Sequence, residues 1–148
     1  MIIKENNINV VFEFSPNQEL YLLHMAECNY DEKLIDDKEK QWFRAIEIQT
    51  TGSNQDDHHA LKNTGTSCGD VLKYQSHKDY LNSFGRKLEF LLKNEYLEVI
   101  LHYQFYNGIQ AVRTKVDVTN ISNTQVGLEY ISLFSLTGID KEGSGEVN

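Results

Sequence analysis

Asp56, Asp57, His58 and His59 stand consecutively in the chain. Carboxylates and imidazoles ligate divalent cations, and they also accept strong, directed hydrogen bonds from hydroxyl groups. Adjacent residues seldom aim at one ion, and no His-x-His or His-x3-His spacing adds ligands to the four. A plain surface loop is therefore the simplest reading, recognition of a sugar or a partner comes next, and a metal site last. No metal and no cofactor are expected. Ser76, His77 and Asp79 are the residue types of a hydrolytic triad. A triad is defined by geometry and not by proximity in the chain, and no Gly-x-Ser-x-Gly elbow accompanies these residues. His24 and His102 sit among apolar neighbours and read as structural histidines. A retaining glycosidase needs two carboxyl groups about 5 Å apart, and no pair in the chain declares itself. No catalytic residue is predicted.

The elements that must carry these residues are strands. Residues 9–14 (NVVFEF) alternate, and a Ser-Pro-Asn turn follows. Residues 20–26 (LYLLHMA) form a nearly continuous apolar run, which suits a strand buried on both faces, with a short helix as the alternative. Residues 30–41 are dense in charge and predict an exposed loop or one short helix. Alternation returns over 43–50 and again from 71. Between them, residues 51–69 show no hydrophobic period, and a polar loop of that length is more often functional than accidental. In the second half, residues 86–93, 96–105, 110–119 and 126–136 all read as strands. Asn107-Gly108 supplies a hairpin turn between two of them. Val112, Thr114, Val116 and Val118 alternate with Arg113, Lys115 and Asp117, so one face is wet and one packed, as in an antiparallel sheet. The fold class expected is all-β, an antiparallel β-sandwich. Aromatics such as Phe90, Tyr103, Tyr106 and Tyr130 lie at period-two spacing and belong to the core before they belong to a sugar platform. The tail, 141–148, is polar and glycine-rich and should fray.

Composition narrows the partners. With 14 basic against 22 acidic residues, a net charge of −8 argues against a nucleic-acid backbone or an anionic membrane surface. No run approaches the ~20 apolar residues that span a bilayer. The first residues lack the basic-then-apolar layout of a signal peptide, and two cysteines, Cys28 and Cys68, match no metal or redox spacing. A cytoplasmic protein with reduced thiols is expected. At 148 residues the chain is one domain, or a portion of a larger one.

A series of segments carries a resemblance. In order they are IEIQTTGSNQDDHHALKNTGT from Ile46, LKYQSHKDYLNSFGRKLEF, HYQFYNGIQAVRTKVDVTN and GLEYISLFSLTGI. Over roughly residues 8–139 this order resembles the N-terminal domain of bacterial α-galactosidases (melibiases, glycoside hydrolase family 36). The resemblance implies a β-supersandwich of the galactose mutarotase-like type. It would precede a (β/α)8 barrel that holds both catalytic aspartates and cleaves terminal α-galactosides with retention. The chain stops at Asn148, before such a sandwich would be complete, so no catalytic residue carries over. What is implied is a non-catalytic portion that packs on a barrel, supports a homo-oligomer and walls the sugar site. Asp56, Asp57, His58, His59 and Lys62 are then the candidate contacts. Two other readings stand beside it, a free-standing carbohydrate-binding module and a mutarotase-like enzyme using a histidine and a carboxylate. An incomplete sandwich would also expose apolar surface and self-associate.

Overall fold

A computed structural model describes residues 1–53, 66 and 70–135. It is built from antiparallel strands, with no helix beyond two short 3-10 turns among the described residues. The strands are β1 (Ile2–Glu5), β2 (Ile8–Phe14), β3 (Leu20–Ala26), β4 (Ile48–Thr50), β5 (Lys73–Asn82), β6 (Gly85–Lys93), β7 (Leu97–Tyr106), β8 (Ile109–Asn120) and β9 (Leu128–Ile131). They form three sheets: β1-β2-β3, the ribbon β4-β9, and the meander β5-β6-β7-β8. The all-β reading holds.

The layers meet through the alternate residues of their strands. Val10, Phe12, Leu20 and Leu22 from the three-stranded sheet share one core with Leu88, Phe90, Leu92, Val99, Leu101, Tyr103 and Phe105 of the meander. Phe12 centres the contact, its ring 4.8 Å from Phe90 and 5.0 Å from Tyr103. Ile48 of the β4-β9 ribbon joins the same core. Interdigitated inner faces of this kind make a β-sandwich.

Sheet β1-β2-β3 is covered on its second face as well. Val11, Tyr21 and Leu23 pack there against Ile35 and Phe43. That explains why residues 20–26 are apolar without alternation. The charge-rich stretch supplies the cover. It forms 3-10 turns at Glu32–Leu34 and Lys40–Phe43, and Lys40 bonds Glu13 of β2 at 2.9 Å. Its charges face water while Ile35 and Phe43 face the sheet, so it is more than a solvated loop.

Several boundaries differ from the sequence reading. β1 was not foreseen; it returns through Asn6 and Asn7, both at positive φ (47° and 65°), a conformation that asparagine tolerates. The alternation over 43–50 yields a strand only from Ile48, because Phe43 ends a 3-10 turn. β5 runs on through Asn82, where only its first residues carried a strand signal, because most of its residues are exposed on both faces and lack an apolar row. At Asn107-Gly108 the hairpin forms with positive φ at Gly108 alone, and a bulge at Phe105/Tyr106 absorbs the difference.

One end of the sandwich is tied by charge. Arg86 forks onto Asp79 at 2.8 and 2.6 Å and reaches Glu5 of β1 at 3.1 Å. The Arg86 guanidinium, by direct hydrogen bonding, holds the Asp79 carboxyl below its ordinary value. A carboxyl with a lower pKa in the folded state than in the unfolded one adds stability above the unfolded value, about 3.9. That stability is lost as pH falls through the folded value. Urea midpoints are therefore expected to drop as pH falls from about 4 towards 2. Asp79→Asn should start lower at neutral pH and show a shallower acid decline.

Tyr103 is wholly buried, and its hydroxyl makes no hydrogen bond. Burial pushes that phenol's pKa well up. A buried polar atom without a partner carries a desolvation cost of about 1–3 kcal/mol. Tyr103→Phe removes it without altering the ring contacts and is expected to stabilise the fold by about 1 kcal/mol, read from the urea midpoint.

Candidate functional site

The sequence-predicted contacts Asp56, Asp57, His58, His59 and Lys62 lie outside the described residues, as do most of loop 51–69 and the tail 141–148. The flanks of that loop are described, and they are anchored by buried polar groups. Thr50 Oγ1 donates to Asp70 Oδ2 at 2.8 Å. Thr66 donates to the Glu47 carboxylate and accepts from the Ile48 amide. Ser132 Oγ accepts from the Glu47 amide at 2.8 Å. Glu47, Thr50, Asp70 and Ser132 are all buried. Such groups are kept inside only when hydrogen-bonded, so both ends of the loop are held in fixed positions.

Ser76 and His77 do not meet. Consecutive residues of a strand point to opposite faces, and β5 places Ser76 opposite Leu91 and His77 opposite Phe90. His77 bonds the Tyr74 hydroxyl instead, at 2.6 Å. The triad types at 76–79 are an accident of spacing.

Chemistry gathers on the outer face of the meander. The inner rows of β6 and β7 fill the core, so Lys87, Glu89 and Lys93 of β6 and Glu98, His102, Gln104 and Tyr106 of β7 face outward. The register sets Glu89 beside His102, and His102 beside Lys115. His102 Nε2 lies 2.9 Å from Asp117 Oδ2. Its Nδ1 lies 3.3 Å from Glu89 Oε1, outside hydrogen-bond geometry, and makes no hydrogen bond. Glu89 Oε1 accepts from Lys87 Nζ at 2.8 Å and from the Tyr80 hydroxyl at 2.9 Å. Lys115 Nζ lies 2.6 Å from Asp117 Oδ1. The ring read as a structural histidine thus stands between two carboxylates, each tethered by its own lysine. Sequence reasoning missed this because Glu89 and Asp117 come from the two neighbouring strands. The signal that could have found it was the polar row alternating with the valines of β8.

Both carboxylates are held as anions. Lys87, then Tyr80, lowers the pKa of Glu89; Lys115, then His102, lowers that of Asp117. A glycosidic general acid needs the opposite shift, a carboxyl kept protonated near neutral pH. The trio can orient an imidazole and fix its tautomer, but it offers no such acid. Among the described residues no three His, Cys, Asp or Glu side chains are placed to hold a metal ion.

Beside the trio lies an open cavity of about 360 Å³. Asn82 and Gln104 line it and lock each other, with Asn82 Nδ2 donating to Gln104 Oε1 at 2.6 Å. Lys87, His102, Arg113 and Lys115 line it as well. Phe84 and Tyr106 complete the lining, with ring centroids 6.4 Å apart and an edge-to-face tilt. The β5–β6 turn holds Phe84 there. Asn82 Oδ1 accepts from the amides of Phe84 and Gly85 at 2.9 and 3.1 Å, and the Phe84 carbonyl accepts from the Asn107 amide at 2.8 Å. Gly85 has φ of 143°, and a Cβ there would meet the Phe105 carbonyl oxygen at 2.4 Å. Only glycine lets this turn approach the β7–β8 turn so closely.

No protein-family profile matches the chain. No curated protein matches it either. Among solved structures, a glycoside hydrolase family 36 α-galactosidase from Geobacillus stearothermophilus, crystallised with 1-deoxygalactonojirimycin, is similar in fold, with a TM-score of 0.52 and 14% identity. The likeness covers 81% of this chain and 22% of that one. The chain therefore spans about a fifth of the neighbour's length, and the likeness is one of fold alone. Among the described residues no helix is long and apolar enough to cross a membrane.

Proposed function

We propose that this chain is a non-catalytic β-sandwich portion of an α-galactosidase-like glycoside hydrolase, and that it packs on a catalytic barrel supplied by further polypeptide. The observation that carries the reading is the match of most of this chain to a small share of one glycoside hydrolase chain. The pKa directions of Glu89 and Asp117 support it, since neither carboxyl suits glycosidic acid catalysis. A surface suited to packing supports it too. β8 pairs with β7 only, and Ile109 and Val118 within it and Ile121 just after it are exposed. A second cavity, of about 410 Å³, opens there between Ile8 and Met25 of one sheet and Val112 of the other. The same surface serves a homo-oligomer. The loop carrying Asp56, Asp57, His58, His59 and Lys62 would wall the sugar site of the whole enzyme, and the protein would work in the cytoplasm.

The purified polypeptide is expected to release no nitrophenol from p-nitrophenyl α-D-galactoside. It should also associate as its concentration rises in light scattering, and Ile109→Glu should reduce that association. Galactoside cleavage by this polypeptide would overturn the reading. One rival has an observation of its own: His102 between two carboxylates beside an open cavity is the equipment of a mutarotase-like enzyme. Polarimetry separates the two, because the leading reading leaves the anomer interconversion of galactose at its uncatalysed rate.

A further inference from the structure

We propose that the cavity beneath Phe84, on the outer face of the meander, binds a monosaccharide carrying one anionic group, a carboxylate or a phosphate. Its charge is the first reason. Lys87, Arg113 and Lys115 line it, and no acidic residue does, in a chain whose net charge is −8. A cationic hollow on an acidic protein concentrates anions locally against the overall field.

The ion pairs narrow the ligand further. Lys87 is engaged by Glu89 at 2.8 Å and Lys115 by Asp117 at 2.6 Å. The Arg113 side chain, among the described residues, has no hydrogen bond and no ion pair, and the residue is exposed at the cavity. One uncommitted guanidinium matches one anionic group. Its planar fork of N–H donors fits two oxygens of a carboxylate or a phosphate at once.

The remaining walls suit a ring with hydroxyls. Phe84 is 63% exposed, yet the Asn107 and Asn82 hydrogen bonds fix its backbone. An exposed aromatic on an ordered turn presents a flat apolar face at little entropic cost. Asn82, His102 and Gln104 also line the cavity and supply polar side chains for hydroxyls. The volume, about 360 Å³, lies at the low end for small-molecule sites, room for a single ring with its substituent. This inference is independent of the barrel reading: it is tested by binding, whereas that reading is tested by turnover and association.

Calorimetric titration of the full chain at low salt tests it, with D-galacturonate, D-galactose 6-phosphate, neutral D-galactose and inorganic phosphate as separate arms. At least one anionic sugar is expected to bind with a Kd on the order of millimolar or tighter. Neutral galactose and inorganic phosphate should each bind at least about tenfold more weakly, a gap of about 1.4 kcal/mol. The stronger of the two sugar arms identifies the anionic group. Arg113→Gln should weaken that arm about tenfold or more, Arg113→Lys less, and Phe84→Ala severalfold. Lys78→Gln, which removes a cation of the same face outside the cavity, should leave it unchanged. All three positions are exposed, and circular dichroism should show native spectra. The inference is overturned if neither anionic sugar binds, if galactose or phosphate binds as tightly as the anionic sugar, or if Lys78→Gln weakens binding as much as Arg113→Gln.

Discussion

Phe90→Ala is expected to lower the free energy of unfolding by about 3–5 kcal/mol, measured by urea titration. Phe90 is wholly buried. It meets Phe12 of the facing sheet at 4.8 Å and lies 6.4 Å from Phe14 and 6.1 Å from Tyr103. Truncation removes the side chain that joins the two layers and leaves a cavity that neighbouring backbone, pinned in two hydrogen-bonded sheets, cannot collapse to fill. Domains of ordinary stability hold only about 5–15 kcal/mol, so the variant should be partly unfolded at modest urea. Phe84→Ala is the control. Its ring is 63% exposed, and its loss should stay within about 0.5 kcal/mol. A Phe90→Ala effect as small as that would mean the two sheets are not one packed core.

Gly85→Ala should cost about 1–3 kcal/mol from backbone strain at positive φ. Steric overlap adds to that, because the new methyl would lie 2.4 Å from the Phe105 carbonyl oxygen and 3.0 Å from the Asn107 nitrogen. Both neighbours are backbone atoms of the β7–β8 hairpin, so relief requires the two turns to separate. That separation breaks the Asn107-to-Phe84 hydrogen bond and carries Phe84 away from Tyr106. The variant should therefore lose stability and the cavity's aromatic lining together, whereas Ser83→Ala, exposed in the same turn, should change stability by no more than about 0.5 kcal/mol. Stability measured by urea, with the binding of the anionic sugar measured alongside, checks both halves. A fully stable Gly85→Ala would refute the close approach of the turns.

These effects bear on how the two faces of this sheet divide labour. The inner rows of the meander are committed to packing, and the outer rows are free to carry chemistry. On that outer face the same lysines that neutralise Glu89 and Asp117 also line the cavity.

The residues of β2, β6, β7 and β8 announced their strands because side-chain direction alternates along an extended chain, and one face of each had to be apolar; those of β3 did so by an unbroken apolar run. The all-β class, the hairpin at Asn107-Gly108 and the double burial of β3 follow from such local signals. Local rules fell silent elsewhere. β1 is four residues with one buried side chain, too short for a period. The charged stretch before Phe43 became a cover because Ile35 and Phe43, eight residues apart, meet the same sheet face. The histidine site required the register of three strands to bring Glu89, His102 and Asp117 together, and Arg113 became the uncommitted cation only because each neighbouring lysine found a carboxylate. Alternation is a property of neighbours in the chain and can be read there; pairing is a property of neighbours in space, and only the packed sheets could decide it.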